Sequence, residues 1–270
     1  MRDPRVMLGG GFILLLLVLA IFAPYIAPQD PLVQDLLLAT APPLQEPGYL
    51  LGTDSLGRDL LSRLIHASRI AMTVAFAASI LAALIGTIAG LLAGYLGGWW
   101  DGAVSRLVDI WMAFPPVLLS ILLVAVLGSG LHSVIAAIVV IDWTRFARVV
   151  RAETLQQSRL EYVEAATAIG MGRFAILFRE ILPNVAPVIM VLFSLEMGIA
   201  VIVEAILSFV GLSVSSDVPT WGGMIAEGRQ IIHQAWWVLV FPLVMLFLTV
   251  LAFNQLGDGL RNWLDPVLRR

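Results

Sequence analysis

Lysine and cysteine are both absent from this 270-residue sequence, and each absence excludes a class of function. All 16 basic residues are arginine, so the chain has no phosphate-binding loop of the form G-x-x-x-x-G-K-[ST], whose lysine contacts the outer phosphates of a nucleotide. We therefore expect no ATP hydrolysis by this chain. Without cysteine there are no disulfides, thiolate metal ligands or thiol nucleophiles. The histidines, His66, His132 and His233, lie far apart in sequence and indicate no metal site.

Charge is also scarce, and this scarcity places the chain in a membrane. Only 13% of residues are charged, whereas 60% are hydrophobic and the mean hydropathy is +0.94. A soluble domain has about a quarter of its residues charged, which this chain cannot match. The net charge of -3 is too small to indicate a nucleic-acid partner.

Six apolar stretches predict membrane-spanning helices, because about 20 apolar residues, rising about 1.5 Å each, cross a bilayer core. The predicted spans are Met7 to Ile26, Ile70 to Leu96, Leu107 to Leu127, Leu131 to Val150, Val185 to Leu212 and Trp236 to Phe253. The fourth is the weakest, and we interpret Asp142 and Arg145 near its end as a charge pair at the membrane interface. The first also fits a secretory signal peptide, but its length favours an uncleaved span.

The arginines favour an orientation with both chain termini in the cytoplasm. In that orientation 12 of the 16 arginines fall in inner segments, and the outer segments hold the other 4, Arg58, Arg63, Arg69 and Arg229. Tryptophans fall at predicted span ends, where amphipathic rings favour the interface. They are Trp99, Trp100, Trp236, Trp237 and Trp263.

The outer segment between the first two spans predicts a short amphipathic helix. After a cap at Thr53 or Asp54, leucines recur at helical spacing with Arg58, Asp59 and Arg63 on the other face. We expect this helix to lie along the outer interface. It is either a simple lead into the second span or a contact for an external partner.

The longest inner segment, residues 151–184, predicts a helix-turn-helix. Its first helix carries an apolar stripe of Leu155, Tyr162, Ala166 and Ile169, and Gly170 and Gly172 permit a sharp turn. A second short helix, Phe174 to Ile181, is expected to stop at Leu182, Pro183 and Asn184. The residues leave two interpretations open. The small side chains form a surface for another protein, or the segment packs on the chain's own span ends.

Two carboxylates, Glu196 and Glu204, fall inside the fifth predicted span, where an ionisable group is expensive. A structural contact is the favoured interpretation for Glu204. For Glu196 a structural role and a place on a transport pathway both stay open. An ion-coupled secondary transporter would need buried ion sites, for which these two residues and Asp142 are the only candidates. Scattered histidines and absent cysteines disfavour an intramembrane enzyme.

The segment EYVEAATAIGMGRFAILFREILPN, from Glu161 to Asn184, resembles the EAA loop of binding-protein-dependent ABC importer permeases. Further segments are similar to the dipeptide/oligopeptide/nickel permease family, in particular to its C-type subunit. They are LGTDSLGRDLLSRL from Leu51, GYLGGWWDG from Gly94, ILSFVGL from Ile206, TWGGMIAEGRQ from Thr220 and the run from Ala235 to the C-terminus. The resemblance extends from about Leu51 to the end of the chain.

This resemblance implies an all-α membrane protein with six transmembrane helices, the MetI-like fold of type I ABC importer permeases, and cytoplasmic termini. It divides the chain into a first transmembrane helix with an extracytoplasmic segment (1–69), a five-helix core (70–258) that includes the coupling loop (151–184), and a cytoplasmic tail (259–270). It implies a non-catalytic subunit in a bacterial or archaeal plasma membrane, with no cofactor on this chain. The implied partners are a homologous permease, two cytoplasmic ATPase subunits that bind ATP and Mg, and an extracytoplasmic substrate-binding protein.

The resemblance also assigns residues and a substrate class. The coupling loop would dock on the ATPase through Glu161, Glu164, Ala165, Ala166, Gly170, Leu182 and Pro183. Glu196 and Glu204 would line the pathway or bond across the permease pair. Dipeptides or oligopeptides are the expected substrates, with glutathione and nickel complexes as alternatives. The absence of a His or Cys cluster disfavours bare metal ions.

Overall fold

A computed structural model describes residues 4–215 and 217–264, with side chains described up to Asn262. The α-helices in this range are α1 (Pro4–Ile26), α2 (Leu60–Leu96), α3 (Gly98–Met112), α4 (Pro116–Leu127), α5 (Leu131–Gln157), α6 (Glu161–Ala168), α7 (Arg173–Ala175), α8 (Leu182–Phe209), α9 (Trp221–Gln230) and α10 (Trp236–Leu264). A 3-10 turn lies at Leu36–Leu38, and a π-helical segment, Ile176–Ile181, joins α7 to α8. Outside the described residues lie Arg2, Arg269 and Arg270, residues 265–270 of the predicted tail, and the side chain of Trp263.

Within the described residues, four helical segments are long and apolar enough to cross a membrane: α1, α2, the continuous run Arg173–Phe209, and Trp236–Asn262. The pair of α3 and α4 makes a fifth candidate, but its two helices are bent by 89°. The span predicted at Leu107 to Leu127 therefore falls on two helices that meet at a sharp bend, and not on one continuous helix. The helix breaks before Pro115 and Pro116, because proline has no backbone N–H donor and forces the preceding residue out of helical geometry.

The predicted fourth span is the helix α5, and it packs most closely on α2 along three glycines spaced four residues apart, Gly86, Gly90 and Gly94. A Cβ added at Gly86 would lie 2.3 Å from the carbonyl oxygen of Trp143, and one at Gly90 would lie 2.7 Å from that of Ala147. Small residues at this spacing let two helix backbones approach closely in a membrane. The contact holds a helix with a charged middle inside the bundle.

The predicted interfacial helix after Asp54 is instead the first part of α2. This helix begins at Leu60, and its N-cap is Asp59, whose Oδ2 accepts a hydrogen bond from Ser62 N at 2.8 Å. The predicted caps, Thr53 and Asp54, precede that position. Both faces of the first turns are buried, including Arg63, because α9 and the outer segment cover them. The predicted division after residue 69 falls inside α2.

The directions of the helices define two ends of the bundle. α1 and α10 are antiparallel, since Gly9 lies against Ala252 while Gly259 lies against Val6. Similar glycine contacts make α10 antiparallel to α8. The start of α1, the end of α10 and α6 therefore lie at one end, called here the α6 end. The start of α2, α9 and residues 27–59 lie at the opposite end, called here the α9 end.

A single helical run follows α6, and the predicted stop at Leu182, Pro183 and Asn184 is wrong. The run Arg173–Phe209 passes through these residues without a break. Pro183 cannot donate a backbone hydrogen bond, and in a regular α-helix its ring clashes with the preceding turn. The wider π-helical segment ends directly before Leu182 and so relieves that clash.

The tryptophans predicted at span ends differ in burial. Trp99, Trp100 and Trp236 are exposed, as expected of side chains at a membrane interface. Trp237 is 4% exposed, and its Nε1 donates to the carbonyl oxygen of Thr53 at 3.0 Å. The prediction of an interfacial position is wrong for Trp237, which ties the outer segment to α10.

Candidate functional site

The helix α6 turns one face inward and the other outward. Val163 and Ala166 are buried, and they pack in an apolar cluster at the α6 end. The other members of this cluster are Leu91, Val150, Ile176, Leu177, Ile181 and Val185. The opposite face consists of exposed residues, Glu161, Glu164, Ala165 and Ala168. A short helix is therefore fixed on its own chain while it displays small and acidic side chains.

The turn after α6 explains why glycine stands at position 170. Gly170 has φ +82°, a backbone conformation that other residues rarely adopt. Gly170 N donates to Thr167 O at 3.0 Å and Met171 N donates to Ala166 O at 3.1 Å, the paired bonds of a Schellman motif. A Cβ at this position would meet no atom within 4 Å. Backbone conformation, and not crowding within the chain, therefore selects glycine here.

The residues predicted for the coupling interface occupy different environments. Glu161, Glu164, Ala165, Gly170 and Pro183 are exposed. The remaining two, Leu182 and Ala166, are half-buried and buried, and Ala166 packs inside its own chain. Within the described part of the chain, the carboxylates of Glu161 and Glu164 have no hydrogen-bond or ion-pair partner.

Exposed apolar side chains flank α6, contrary to the predicted stripe. Ile169 is 80% exposed and Leu155 is also exposed, so only part of that stripe faces the core. Phe174 and Phe178 are exposed as well. Beside them, Tyr162 is half-buried and donates its hydroxyl to Gln157 Oε1 at 3.0 Å. Burial raises the pKa of this hydroxyl above its ordinary value.

A charged cluster lies between the middles of α5 and α8. Arg145 Nη1 donates to both carboxylate oxygens of Glu196, each at 3.2 Å. Arg145 Nε lies 3.9 Å from Asp142 Oδ1, too far for a hydrogen bond. Asp142 is 4% exposed and Glu196 is 2% exposed. The interpretation of Asp142 and Arg145 as an interface pair is wrong, because Asp142 is buried in the bundle.

Glu204 lies farther along α8 in a closed environment. It is 1% exposed, and its Oε1 accepts hydrogen bonds from Ser208 Oγ at 2.6 Å and Ser213 Oγ at 3.2 Å. The carbonyl of Ser213 accepts from Gly130 N at 2.9 Å, which connects the end of α8 to the start of α5. These contacts favour the structural interpretation of Glu204.

A second ionic network at the α9 end escaped the sequence analysis. Asp54 bonds to Arg58 Nε at 2.7 Å and also to Arg63 Nη1. Both arginines reach Glu227 of α9, at 3.1 Å from Arg58 Nη2 and 2.7 Å from Arg63 Nη1. Asp54, Arg58 and Arg63 are buried, whereas the side chain of Glu227 is 35% exposed, and the two carboxylates neutralise the two arginines. In the sequence, the residues of this network lie in two polar segments, one with Asp54, Arg58 and Arg63 and one with Glu227, and nothing local indicates that these segments meet.

The described residues hold no group of three or more His, Asp or Glu side chains that could bind a metal ion.

Two family models match the chain. Residues 86–270 match the model described as binding-protein-dependent transport system inner membrane component. Residues 1–47 match the N-terminal transmembrane domain of oligopeptide transport permease C.

Curated relatives cover nearly the whole chain. The di/tripeptide transport system permease protein DppC of Pseudomonas aeruginosa is 40% identical over 268 residues, which cover 97% of this chain and 88% of the relative. The glutathione transport system permease protein GsiD of Shigella dysenteriae serotype 1 is 43% identical over 272 residues, with 99% and 88% covered. Inward-facing structures of the MetNI methionine ABC transporter include a similar chain, with a TM-score of 0.64 and 20% identity. That match covers 76% of this chain and 98% of the other, and it supports the MetI-like fold.

Proposed function

The chain belongs to the family of binding-protein-dependent transport system inner membrane components, and from that premise we propose that it is the permease subunit of an ATP-driven importer. The observation that carries the proposal is the family match over residues 86–270, which includes α6 and its turn. The permeases of this family are not catalytic. The absence of lysine agrees with an energy source on other chains.

The proposed arrangement has six membrane crossings and both termini in the cytoplasm of a bacterial or archaeal cell. Two observations support it. The start of α1 and the described end of α10 both lie at the α6 end, and so do most of the described arginines. In short loops this positive charge favours the cytoplasmic side. α5 then crosses the membrane because α2 and α8 surround its charged middle.

The proposed role of the α6 face is to dock on one of two cytoplasmic ATPase subunits that bind ATP and Mg. Small side chains permit close approach, and the flanking Ile169 and Phe174 offer apolar area to a partner. The free carboxylate of Glu164 would meet a basic group on the ATPase. Gly170, Leu182 and Pro183 would then set the angle between this helix and α8, so that movement of the ATPase reaches the membrane helices.

A homologous permease would complete the pathway, and an extracytoplasmic binding protein would deliver the substrate. We propose peptides as that substrate, on the strength of the relatives named for di/tripeptide and glutathione transport. Glutathione and nickel complexes are the alternatives within the family. An ion-coupled transporter that acts alone is the alternative outside it. Two of its three candidate residues are engaged, since Glu204 is bonded to two serines and Glu196 to Arg145. The third, Asp142, lies 3.9 Å from Arg145 Nε.

Replacement of Ala165 by tryptophan tests the docking role. The new side chain leaves the buried face of α6 intact but obstructs its exposed face. We expect normal abundance in the membrane, loss of ATPase subunits from the purified complex and at least tenfold slower ATP-dependent uptake. The matched control is Gly102→Trp on α3, where the glycine is exposed and a Cβ would meet no atom within 4 Å.

Two results would reject the proposal. One is uptake by Ala165→Trp at the rate of Gly102→Trp, which would remove α6 from the coupling interface. The other is uptake by the isolated chain driven by an ion gradient without ATPase subunits, which would replace the importer assignment altogether.

A further inference from the structure

Among the charged groups near the middles of α5 and α8, which are Asp142, Arg145, Glu196 and Glu204, only Arg145 has a side chain that is partly open. The side chain of Arg145 is 32% exposed, whereas those of Asp142 and Glu196 beside it are 6% and 3% exposed. Glu204, by contrast, is enclosed by its own serines. The guanidinium therefore has a buried side that faces two carboxylates and an open side.

The position of this cluster along α5 and α8 indicates what surrounds the open side of Arg145. At 1.5 Å per residue, Arg145 lies about 21 Å along α5 from Leu131, and Glu196 about 21 Å along α8 from Leu182. Both positions are near the middle of their helices. A charged group at that depth rarely faces lipid, and it usually faces protein or a water-filled cavity. We therefore expect the open side of Arg145 to face protein or water and not hydrocarbon.

The donors of Arg145 are only partly used. Nη1 is engaged by Glu196, and Nε is beyond hydrogen-bond distance of Asp142. Nη2 makes no hydrogen bond to any described residue. A guanidinium that is fixed by one carboxylate and keeps unused N–H donors can bind the two oxygens of a second carboxylate. The bond to Glu196 limits the rotamers that Arg145 can adopt before a ligand arrives.

The charge balance of the cluster favours weak binding. Two carboxylates face one guanidinium, so the net charge of the cluster is -1 when all three groups are ionised. An arriving carboxylate gains the free donors but is repelled by Asp142 and Glu196. A transport pathway needs such a balance, since a solute must enter the site and also leave it.

We propose that Arg145 is a carboxylate-binding residue of the translocation pathway, positioned by Glu196 and held to weak affinity by Asp142. The ligand class is a solute with a free carboxylate, such as the C-terminus of a short peptide. This inference rests on the proposed importer function and adds a contact to substrate within the membrane. A free carboxylate is also present in glutathione, so the contact does not depend on which peptide is carried.

The first test asks whether water reaches Arg145. Because the chain has no cysteine, Arg145→Cys creates a single thiol, which mass spectrometry of this chain can follow in the assembled importer. A membrane-impermeant anionic methanethiosulfonate should modify it within minutes. Two controls should resist: Thr144→Cys, at a buried position, and Ile80→Cys, on an exposed apolar face of α2. If Arg145→Cys reacts no faster than these controls, the proposal is overturned.

The second test measures selectivity in proteoliposomes that contain the complete importer. The probes are a labelled dialanine and its C-terminal amide, both supplied at concentrations that saturate the binding protein. Loss of a charge-assisted contact should slow uptake of free dialanine about tenfold in Arg145→Gln and leave uptake of the amide within about twofold. Arg145→Lys should keep part of the preference.

Controls separate this role from a structural one. The triple variant Arg145→Gln/Glu196→Gln/Asp142→Asn removes the guanidinium and the charge of both carboxylates that face it, so no carboxylate loses its counterion, and it should show the same loss of selectivity. Equal slowing of both probes, or no change in their ratio, overturns the role of Arg145. If the wild-type importer transports neither probe, the proposed transport of dipeptides fails, and modification of Arg145→Cys then decides separately whether Arg145 lies on the pathway.

Discussion

Replacement of Gly86 by alanine tests whether the glycine contact between α2 and α5 constrains the bundle. The new Cβ would lie 2.3 Å from the carbonyl oxygen of Trp143 and 2.5 Å from the Cβ of Phe146, about 1 Å inside ordinary contact distance. Both atoms are rigid parts of α5, so the helices must separate, which costs about 3 kcal/mol. The higher helix propensity of alanine offsets about 1 kcal/mol. We therefore expect a net loss of about 2 kcal/mol in the free energy of unfolding.

The measurement is the thermal unfolding of the purified protein in detergent. The control is Gly102→Ala on α3, which makes the same chemical change where a Cβ would meet no atom within 4 Å. We expect the Tm of Gly86→Ala to lie about 5 °C below that of Gly102→Ala. Equal Tm values would refute the conclusion that close packing requires glycine at position 86.

Three further substitutions each test one buried contact. Glu227→Gln should lower the stability of the purified protein by about 2 kcal/mol, because buried Arg63 loses part of its counter-charge, and a Tm equal to that of the wild type would contradict this. Trp237→Phe removes the hydrogen bond to the outer segment, so proteases should cleave residues 27–59 faster; Trp236→Phe, at an exposed position, should have no effect. Glu204→Gln keeps an acceptor for two serines and should preserve membrane abundance, whereas Glu204→Leu should reduce it. Normal abundance of both variants with lost uptake would instead place Glu204 on the pathway.

The helices themselves were predictable because their signals are local. Hydropathy over about 20 residues located α1, α5, α8 and α10 to within a few residues at most ends. The glycine turn after α6 was also predictable, since Gly170 is the kind of residue that this backbone conformation requires. The bend between α3 and α4 carried a local signal too, in Pro115 and Pro116, which hydropathy alone does not detect.

Predictions about faces and partners were less successful. The local pattern places Arg63 on the polar face of an interfacial helix, but that face is buried, because Glu227, 164 positions away, supplies the opposite charge. The local pattern also places Asp142 and Arg145 as a pair at the membrane interface, but Arg145 bonds to Glu196, 51 positions away, inside the bundle. Trp237 was misplaced for the same reason, because its partner Thr53 is distant in sequence.

The sequence by itself determined that this protein resides in a membrane, that it has no phosphate-binding loop, and that it resembles importer permeases. These conclusions need only composition, local periodicity and short motifs. The tertiary structure decided which charges are buried and which helix faces stay open. Burial of a charge depends on whether an opposite charge arrives from another helix. It was the packing of α5 against α2 and α8 that left Arg145 with one side held and the other side free.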